Sequence, residues 1–155
     1  MPAKKLIEFL DQQKVKYVKI SHSPAYTAQE VAAVAHVAGR ELAKTVIVKL
    51  DGEPAMAVLP ASFKVDFALF KKATKAKKVE LAGEEEFRSL FTDCELGAMP
   101  PFGNLYDLKV YVAESLSEDS EIAFNACSHT ELIRMSYADF KRLAEPIVAK
   151  FSKHV

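Results

Sequence analysis

Seven consecutive residues combine the residue types that build a rigid ligand-binding loop: Gly97-Ala98-Met99-Pro100-Pro101-Phe102-Gly103. Glycine reaches positive φ and lets a ligand approach the backbone closely. Two adjacent prolines fix φ and make the loop stiff. Such a loop could form a polar cradle for a ligand, built from the N–H groups of Gly97, Ala98, Met99, Phe102 and Gly103. The alternative interpretation is an ordinary rigid turn in which Phe102 fills a core.

Lys44 is the second candidate, because it directly precedes the β-branched run Thr45–Leu50. This run predicts a buried strand, so Lys44 is expected at the rim of a sheet. An ammonium there could hold a phosphate or polarise a carbonyl. Alternatively, the lysine stem covers apolar surface while its charged end stays in water.

Patterns for other chemistries are missing. The chain has no histidine or cysteine pair at zinc spacing, no nucleotide-binding Gly-x-x-x-x-Gly-Lys-Ser/Thr and no Gly-x-Ser-x-Gly. Cys127 stands two residues before His129, so a thiol nucleophile is conceivable, but a lone cysteine is more often a small buried apolar residue. Two cysteines, Cys94 and Cys127, make a disulfide framework unexpected. We therefore expect no metal, no cofactor and no protein nucleophile.

The densest basic cluster follows a segment in which Asp66 is expected to cap a helix. It could contact phosphates of a nucleic acid, or it could be a solvated helix face. Its members are Lys71, Lys72, Lys75, Lys77 and Lys78.

Composition limits the class of protein. The 155 residues are 50% hydrophobic and 27% charged with zero formal net charge, which predicts one globular domain over residues 1–155. Zero net charge argues against non-specific coating of nucleic acid, and DNA is not an expected partner. The N-terminal segment is amphipathic and no apolar run reaches 18 residues, so we expect neither a signal peptide nor a membrane span, and a cytoplasmic location.

Periodicity predicts about seven strands and five helices in mixed order. No regular βαβ alternation is present, and Asp51-Gly52 predicts a hairpin. The fold class is therefore α+β (mixed α/β): a single domain with a curved, mostly antiparallel mixed sheet surrounded by helices. The expected helices are 4–13, 27 to about 39, 66 to 72 or 75, 84–91 and 136 to about 150, with Pro146 expected to kink or divide the last one. The expected strands are 16–20, 45–50, 55–59, 79–81, 109–112, 121–126 and 131–135.

Together these segments resemble one family, the YbaK/prolyl-tRNA-synthetase-associated editing domains. The resemblance covers nearly the whole chain in order, and the Lys44 segment combined with Gly97-x-x-x-Pro101 is its most specific part. The matching motifs are His22-Ser23-Pro24, Thr27-Ala28-Gln29-Glu30, Ala43-Lys44-Thr45-Val46, Val58-Leu59-Pro60, the loop 97–103, and Phe124-Asn125-Ala126-Cys127-Ser128-His129.

The resemblance implies a trans-acting deacylase that hydrolyses the ester of a small mischarged amino acid, of the Ala or Cys type, on tRNA-Pro. Lys44 would anchor the 3′-terminal adenosine, and water assisted by the neighbouring ribose hydroxyl would attack, with Gly97 and Pro101 shaping the acyl site. Aminoacyl-tRNA is the implied partner, with a synthetase as a further possible one, and the lysine cluster would contact tRNA. The implied substrate-binding residues are His22, Tyr26, Thr27, Ala98, Met99, Phe102, Gly103, Asn125, Ser128 and His129.

One position departs from the family pattern. Many relatives read Asn-Ala-Gly-Thr-His where this chain reads Asn125-Ala126-Cys127-Ser128-His129. A cysteine side chain at the glycine position implies either a narrower pocket or ordinary backbone there. The alternative function is a non-catalytic module that binds tRNA ends or a small molecule and has kept the pocket.

Overall fold

The computed structural model describes residues 4–95 and 97–154. Residues 1–3, which open the segment from which no signal peptide is expected, lie outside this part of the chain. Within it, six helices and ten strands alternate irregularly along the sequence. The helices are α1 (Lys4–Gln12), α2 (Ala28–Val34), α3 (Phe67–Thr74), α4 (Glu84–Phe87), α5 (Glu114–Ser117) and α6 (Tyr137–Ala144). The strands are β1 (Tyr17–Ser21), β2 (Leu42–Leu50), β3 (Glu53–Pro60), β4 (Phe63–Val65), β5 (Val79–Leu81), β6 (Lys109–Ala113), β7 (Glu121–Asn125), β8 (Glu131–Ser136), β9 (Ile147–Ala149) and β10 (Ser152–His154).

Eight strands form one mixed sheet in the order β1-β8-β7-β2-β3-β6-β9, with β5 also paired to β2. The pairs β1/β8, β7/β8, β2/β3 and β2/β5 are antiparallel. The pairs β2/β7, β3/β6 and β6/β9 are parallel. The small strands β4 and β10 form a separate antiparallel pair. This mixed sheet with surrounding helices confirms the predicted α+β class.

The hairpin β2–β3 forms at the predicted turn. Asp51 and Gly52 both have positive φ, 52° and 87°, which a two-residue hairpin turn of this hand requires. The turn fixes a register in which Lys44 stands opposite Leu59. The position of Lys44 in the sheet therefore follows from a local turn signal seven residues away.

The two faces of the sheet are covered differently. On one face α1 and α6 close the largest core cluster, which includes Leu10, Phe102, Phe124 and Phe140. On the other face α3 packs through Phe70, and α2 packs separately. Strand β2 contributes to both of these clusters, through Leu42 before Lys44 and through Val46 after it.

The helices begin where the capping signals predict, but some of them end earlier than predicted. Thr27 and Glu30 form the predicted capping box, and Asp66 caps α3. However, α2 ends at Val34 rather than near Gly39, since His36 has a positive φ of 56°. The predicted helix 84–91 is one turn, α4, followed by a 3-10 turn over Arg88–Leu90.

The prediction of a last helix through about residue 150 is wrong. Helix α6 ends at Ala144, because Glu145 adopts a left-handed conformation (φ 49°) immediately before Pro146. A residue before proline is disfavoured in the α region, and proline itself cannot donate to the helix ladder. The chain instead adds β9 and β10, and between them Phe151 is fully buried with its ring 4.6 Å from that of Phe70.

No helix among residues 4–95 and 97–154 is long and apolar enough to cross a membrane.

Candidate active site

Lys44 lies in β2 where this strand pairs with β7. Ala43 is level with Phe124, and both point into the large core cluster. Because strand side chains alternate, the next pair along these parallel strands, Lys44 and Asn125, points to the opposite face. The Lys44 Nζ donates a long hydrogen bond to the Ala61 carbonyl at 3.4 Å.

The charge of Lys44 is partly desolvated. The side chain is half-buried, and burial lowers the pKa of its ammonium below the ordinary lysine value. Within the described part of the chain no carboxylate lies within 4 Å of its Nζ. A half-buried ammonium without an anion destabilises the folded protein, because burial removes part of its hydration. An incoming anion such as phosphate would offset this desolvation free energy.

Two polar atoms near this end of the sheet are buried and have no hydrogen-bond partner among the described residues: Asn125 Oδ1 and His22 Nε2. The His22 Nδ1 lies 2.7 Å from the Ser23 carbonyl, so the neutral ring carries its proton on Nδ1 and offers Nε2 as an acceptor. Buried polar groups are normally hydrogen-bonded. These two atoms fit a site that a polar ligand completes.

His129 connects the separate loops of the site. Its ring lies 4.8 Å from the Tyr26 ring, and a Cβ built on Gly97 would stand 3.6 Å from the His129 Cε1. Its carbonyl accepts a hydrogen bond from the Ala25 N–H at 3.3 Å, and His22 N–H donates to Thr130 O at 2.9 Å. The predicted residues His22, Tyr26, Gly97 and His129 are therefore brought together.

The link to Lys44 runs through a shared cluster of apolar residues. Ala25, whose N–H holds His129, packs in the same buried cluster as Ala61 and Leu42. Ala61 supplies the carbonyl that Lys44 binds. The segments that hold Lys44 and His129 are thereby connected through this apolar cluster.

The loop 97–103 presents only its first residue to solvent. Gly97 is exposed with a φ of 87°, whereas Ala98, Met99, Pro100 and Pro101 are buried. The expected cradle of N–H donors needs correction, because the Ala98 N–H already donates to the Glu95 carbonyl at 3.0 Å. Met99 contributes its side chain to the core. The turn is held rigid because its buried residues pack against the core.

At the other end of this loop, Phe102 and Gly103 are core residues. Phe102 is fully buried, with ring contacts at 5.8 Å to Phe9, 5.6 Å to Phe124 and 5.5 Å to Phe140. A Cβ on Gly103 would collide with the Leu108 carbonyl and lie 2.7 Å from Val110 Cγ2. Their predicted contact with substrate is therefore corrected: Phe102 anchors the loop, as in the alternative interpretation, and Gly103 permits close packing.

Two predicted hydroxyl groups are used locally. The Thr27 Oγ1 accepts the Glu30 N–H at 3.1 Å as a helix cap. The Ser128 hydroxyl is buried, lies 2.9 Å from Thr130 Oγ1 and accepts the Thr130 N–H at 3.1 Å. Both hydroxyls shape the loops that carry Tyr26 and His129.

The expectation that the cysteines do not pair is wrong. Cys94 and Cys127 are joined by a disulfide across 33 residues. They meet because the Cys127 N–H donates to the Ala98 carbonyl at 3.0 Å while the Glu95 N–H donates to the Cys127 carbonyl at 2.9 Å. Cys127 is fully buried. A paired, buried sulfur is not a nucleophile, which removes the Cys–His hypothesis.

Cys127 also has a φ of 66°, in the left-handed region. This explains why glycine suits the position. The Cys127 sulfur points into the core, 4.0 Å from the Tyr106 hydroxyl, so it does not narrow the pocket from the His129 side.

Asp93 lies near both sulfurs, within 4.8 Å, but its carboxylate accepts the Tyr106 hydroxyl at 3.1 Å. Burial and Asp93 raise the pKa of Tyr106 far above its ordinary value.

The lysine cluster lies at the far end of β2. Asp51, which follows β2, accepts the backbone N–H groups of Lys77 and Lys78 at 2.9 and 2.8 Å. The run from Lys44 to Leu50 spans about 20 Å at the rise of a strand. All five lysines are exposed, and Lys75 ends α3 in a left-handed conformation. The cluster can therefore reach only a ligand that extends well beyond Lys44.

Glu95 is a site residue that the sequence analysis misses. Its Oε2 accepts the His129 backbone N–H at 2.8 Å and lies 3.9 Å from His129 Nε2. Its backbone is hydrogen-bonded to Cys127 and Ala98. A single glutamate in a loop has no periodic signal, and only its position two residues before Gly97 could have drawn attention to it.

The sequence and the overall fold match known proteins. The model of the aminoacyl-tRNA editing domain family matches residues 22–143. The multifunctional Ser/Thr-tRNA deacylase ProXp-y of Escherichia coli K12 is 27% identical over 96% of this chain and 92% of its own length. A proline–tRNA ligase of Bacillus mycoides is 24% identical over 76% of this chain, which corresponds to 20% of the ligase.

Solved structures agree on the fold. A candidate trans-editing enzyme for prolyl tRNA synthetase superposes with a TM-score of 0.82 at 19% identity, over 97% of this chain and 96% of that one. A protein described only as hypothetical gives 0.85 at 21% identity, over 97% and 100%. The class is that of hydrolases acting on the aminoacyl-tRNA ester bond. The chain belongs to the aminoacyl-tRNA editing domain family, as its sequence motifs predict.

Proposed function

We propose that this chain is a trans-acting deacylase that removes a small mischarged amino acid from tRNA. The observation that carries the proposal is the convergence of Tyr26, Gly97 and His129, with His129 in the loop that follows β7, the strand paired to β2 next to Lys44. The E. coli relative, which this chain matches over 92% of its length, is named as a tRNA deacylase.

Lys44 is proposed to bind a phosphate at the 3′ end of the tRNA. Its ammonium is half-buried with no carboxylate nearby among the described residues, so a phosphate would be its natural counter-ion. Charge-assisted hydrogen bonds of this kind are among the stronger polar contacts. This contact would fix the terminal adenosine and hence the position of its ester.

The chemistry requires positioning rather than a protein nucleophile. Water adds to the ester carbonyl, the bond to the ribose oxygen breaks, and the products are the free amino acid and a tRNA with its terminal hydroxyl restored. The neighbouring ribose hydroxyl can relay the proton from water to the leaving oxygen. The ester is already reactive, so correct placement supplies most of the required acceleration. The absence of a serine or cysteine nucleophile from the site residues described above is consistent with this scheme.

The amino acid is proposed to be small, with serine and threonine ranked ahead of alanine and cysteine. Asn125 Oδ1, on the face of the sheet that carries Lys44, is buried without a partner among the described residues. A hydroxyl-bearing side chain could satisfy such an atom, whereas a methyl group could not. A site built for a hydroxyl discriminates against analogues without it more strongly than an apolar pocket can discriminate by one methylene. The name of the E. coli relative, a Ser/Thr-tRNA deacylase, points the same way.

The proposal is tested by incubating the protein with tRNAs charged with Ser, Thr, Ala and Cys, including mischarged tRNA-Pro, and following loss of the amino acid. We expect Ser- or Thr-tRNA to be deacylated at least about tenfold faster than correctly charged Pro-tRNA-Pro. No deacylation above buffer across the panel would contradict the proposal.

The alternative, a module that binds without turnover, was motivated by Cys127. The Cys127 sulfur lies in the core beside Tyr106 rather than in the pocket. The cysteine therefore gives little reason to expect a loss of turnover. Tight tRNA binding without turnover in the same panel would favour this alternative.

A further inference from the structure

Glu95 places a carboxylate at the edge of the proposed pocket. Its Oε2 accepts the His129 N–H at 2.8 Å, and its backbone is held on both sides by hydrogen bonds to Cys127 and Ala98. The turn from Glu95 to Ala98 contains Gly97, the residue that faces the His129 ring. The carboxylate is therefore fixed next to the part of the loop that solvent can reach.

The neighbour of this carboxylate within ion-pair distance is the His129 ring, whose Nε2 lies 3.9 Å from Oε2. Among the described residues no lysine or arginine nitrogen lies within 4 Å of Glu95, and its side chain is 48% exposed. Other acidic groups have such a partner: Glu86 lies 2.7 Å and Glu80 3.3 Å from Lys49 Nζ. The Glu95 Oε1 accepts no hydrogen bond from the described residues. One oxygen holds the His129 loop, and the other remains for a ligand.

The substrate class carries a cation one carbon away from the reacting carbonyl. An aminoacyl ester has a free α-ammonium group, and an ammonium is the partner a carboxylate binds best. Lys44 would hold the phosphate, so opposite charges at two places in the site would match opposite charges at two places in the substrate.

We propose that Glu95 binds the α-ammonium group of the aminoacyl moiety and so restricts the enzyme to esters with a free amine. This inference rests on the proposed function. A protonated amine also withdraws electrons from the carbonyl, so holding it as ammonium favours attack by water. Peptidyl or N-acylated esters lack this charge and would be poor substrates.

A purely structural role for Glu95 predicts different behaviour. In that case the carboxylate only anchors the His129 N–H. Its loss would then lower kcat/KM by the same factor for every substrate. Glu95→Gln separates the two roles, because the glutamine oxygen can still accept the His129 N–H while the charge is removed. Glu8→Gln, at an exposed position of α1, is the matched control.

The experiment compares Ser-tRNA with N-acetyl-Ser-tRNA for the wild type, Glu95→Gln and Glu8→Gln, with thermal melting as a folding check. Wild type and Glu8→Gln are expected to prefer the free amine by about tenfold to a hundredfold in kcat/KM. Glu95→Gln should lose most of that preference by slowing Ser-tRNA alone.

Two results would overturn the inference: equal rates on both substrates for the wild type, or equal loss on both substrates in Glu95→Gln. If the wild type hydrolyses neither Ser-tRNA nor any other member of the charged panel, the proposed function fails, and this inference fails with it. If Glu95→Gln does not melt like the wild type, Glu95→Asp replaces it. The aspartate keeps the charge and should keep the preference, whereas its loss there would count against charge recognition.

Discussion

Lys44 and the lysine cluster of residues 71–78 show two opposite ways of presenting positive charge. Lys44 is single, half-buried and bonded only weakly to a carbonyl, and burial lowers its pKa. The cluster has five exposed lysines, of which Lys78 also lies 3.6 Å from Glu80. Both carry charge, but only Lys44 carries it where water is partly excluded.

This difference decides which charge can act on one defined atom of a ligand. Exposed charges are screened by salt over roughly 8–10 Å and by water at all distances. A half-buried ammonium interacts in a lower effective dielectric, so its contribution is larger and more sensitive to geometry. We expect Lys44 to determine the rate of catalysis. The lysine cluster lies about 20 Å away along β2, and we expect it to affect only the attraction of the tRNA.

The largest expected effect is that of Lys44→Met, which removes the charge and keeps the stem. We expect kcat/KM for the best substrate of the panel to fall by roughly a hundredfold, or about 2.7 kcal/mol in transition-state stabilisation. The melting temperature should stay the same or rise, because the folded protein no longer desolvates an ammonium. Lys16→Met, at an exposed position outside the site and the lysine cluster, is the control and should change neither quantity. A Lys44→Met variant with normal activity would remove Lys44 from the mechanism.

A smaller effect is expected from pH. Only the charged form of Lys44 attracts phosphate, and its pKa lies below the ordinary lysine value. Binding of uncharged tRNA should therefore weaken as pH rises through that lowered pKa. The loss should approach about tenfold, and Lys44→Arg should abolish it because arginine stays charged. Measurement by fluorescence anisotropy from pH 7 to 10 checks this. Identical profiles for both proteins would contradict it.

The smallest effect is expected for the double variant Lys71→Ala/Lys72→Ala. Each lysine that contacts a phosphate adds about one unit to the salt dependence of binding. The variant should raise KM for charged tRNA a few-fold at low salt, leave kcat unchanged, and converge with the wild type at high salt. A change in kcat, or an effect that persists at high salt, would mean that the cluster does more than attract the tRNA.

Local signals predicted the fold well where they are strong. The Asp51-Gly52 turn gave the hairpin that sets Lys44 opposite Leu59, and the Thr27 and Asp66 caps began helices as expected. The residues after Ala144 were misassigned because apolar spacing there resembles a helix, whereas burial of Phe151 against Phe70 favours strands. That contact joins distant parts of the chain, so no local pattern reveals it.

The site was only partly predictable for the same reason. Motif resemblance selected His22, Tyr26, Gly97 and His129, which do meet. It could not separate Gly97, which is exposed, from Phe102, which is buried, because both belong to one motif. The Cys94–Cys127 pair and the Glu95–His129 contact depend on two loops lying side by side, which becomes visible only in the folded chain.

The central claim is that the site positions a reactive ester and that the substrate, not a protein nucleophile, assists the attacking water. The most direct test is single-turnover deacylation of Ser-tRNA ending in 2′-deoxyadenosine, with the amino acid on the 3′ oxygen, compared with the normal substrate. We expect the deoxy substrate to bind equally well and to react at least about a hundredfold more slowly, while Ser128→Ala keeps most of its activity on the normal substrate. Equal rates on the two substrates, together with a covalent acyl-protein trapped by acid quench, would contradict the account.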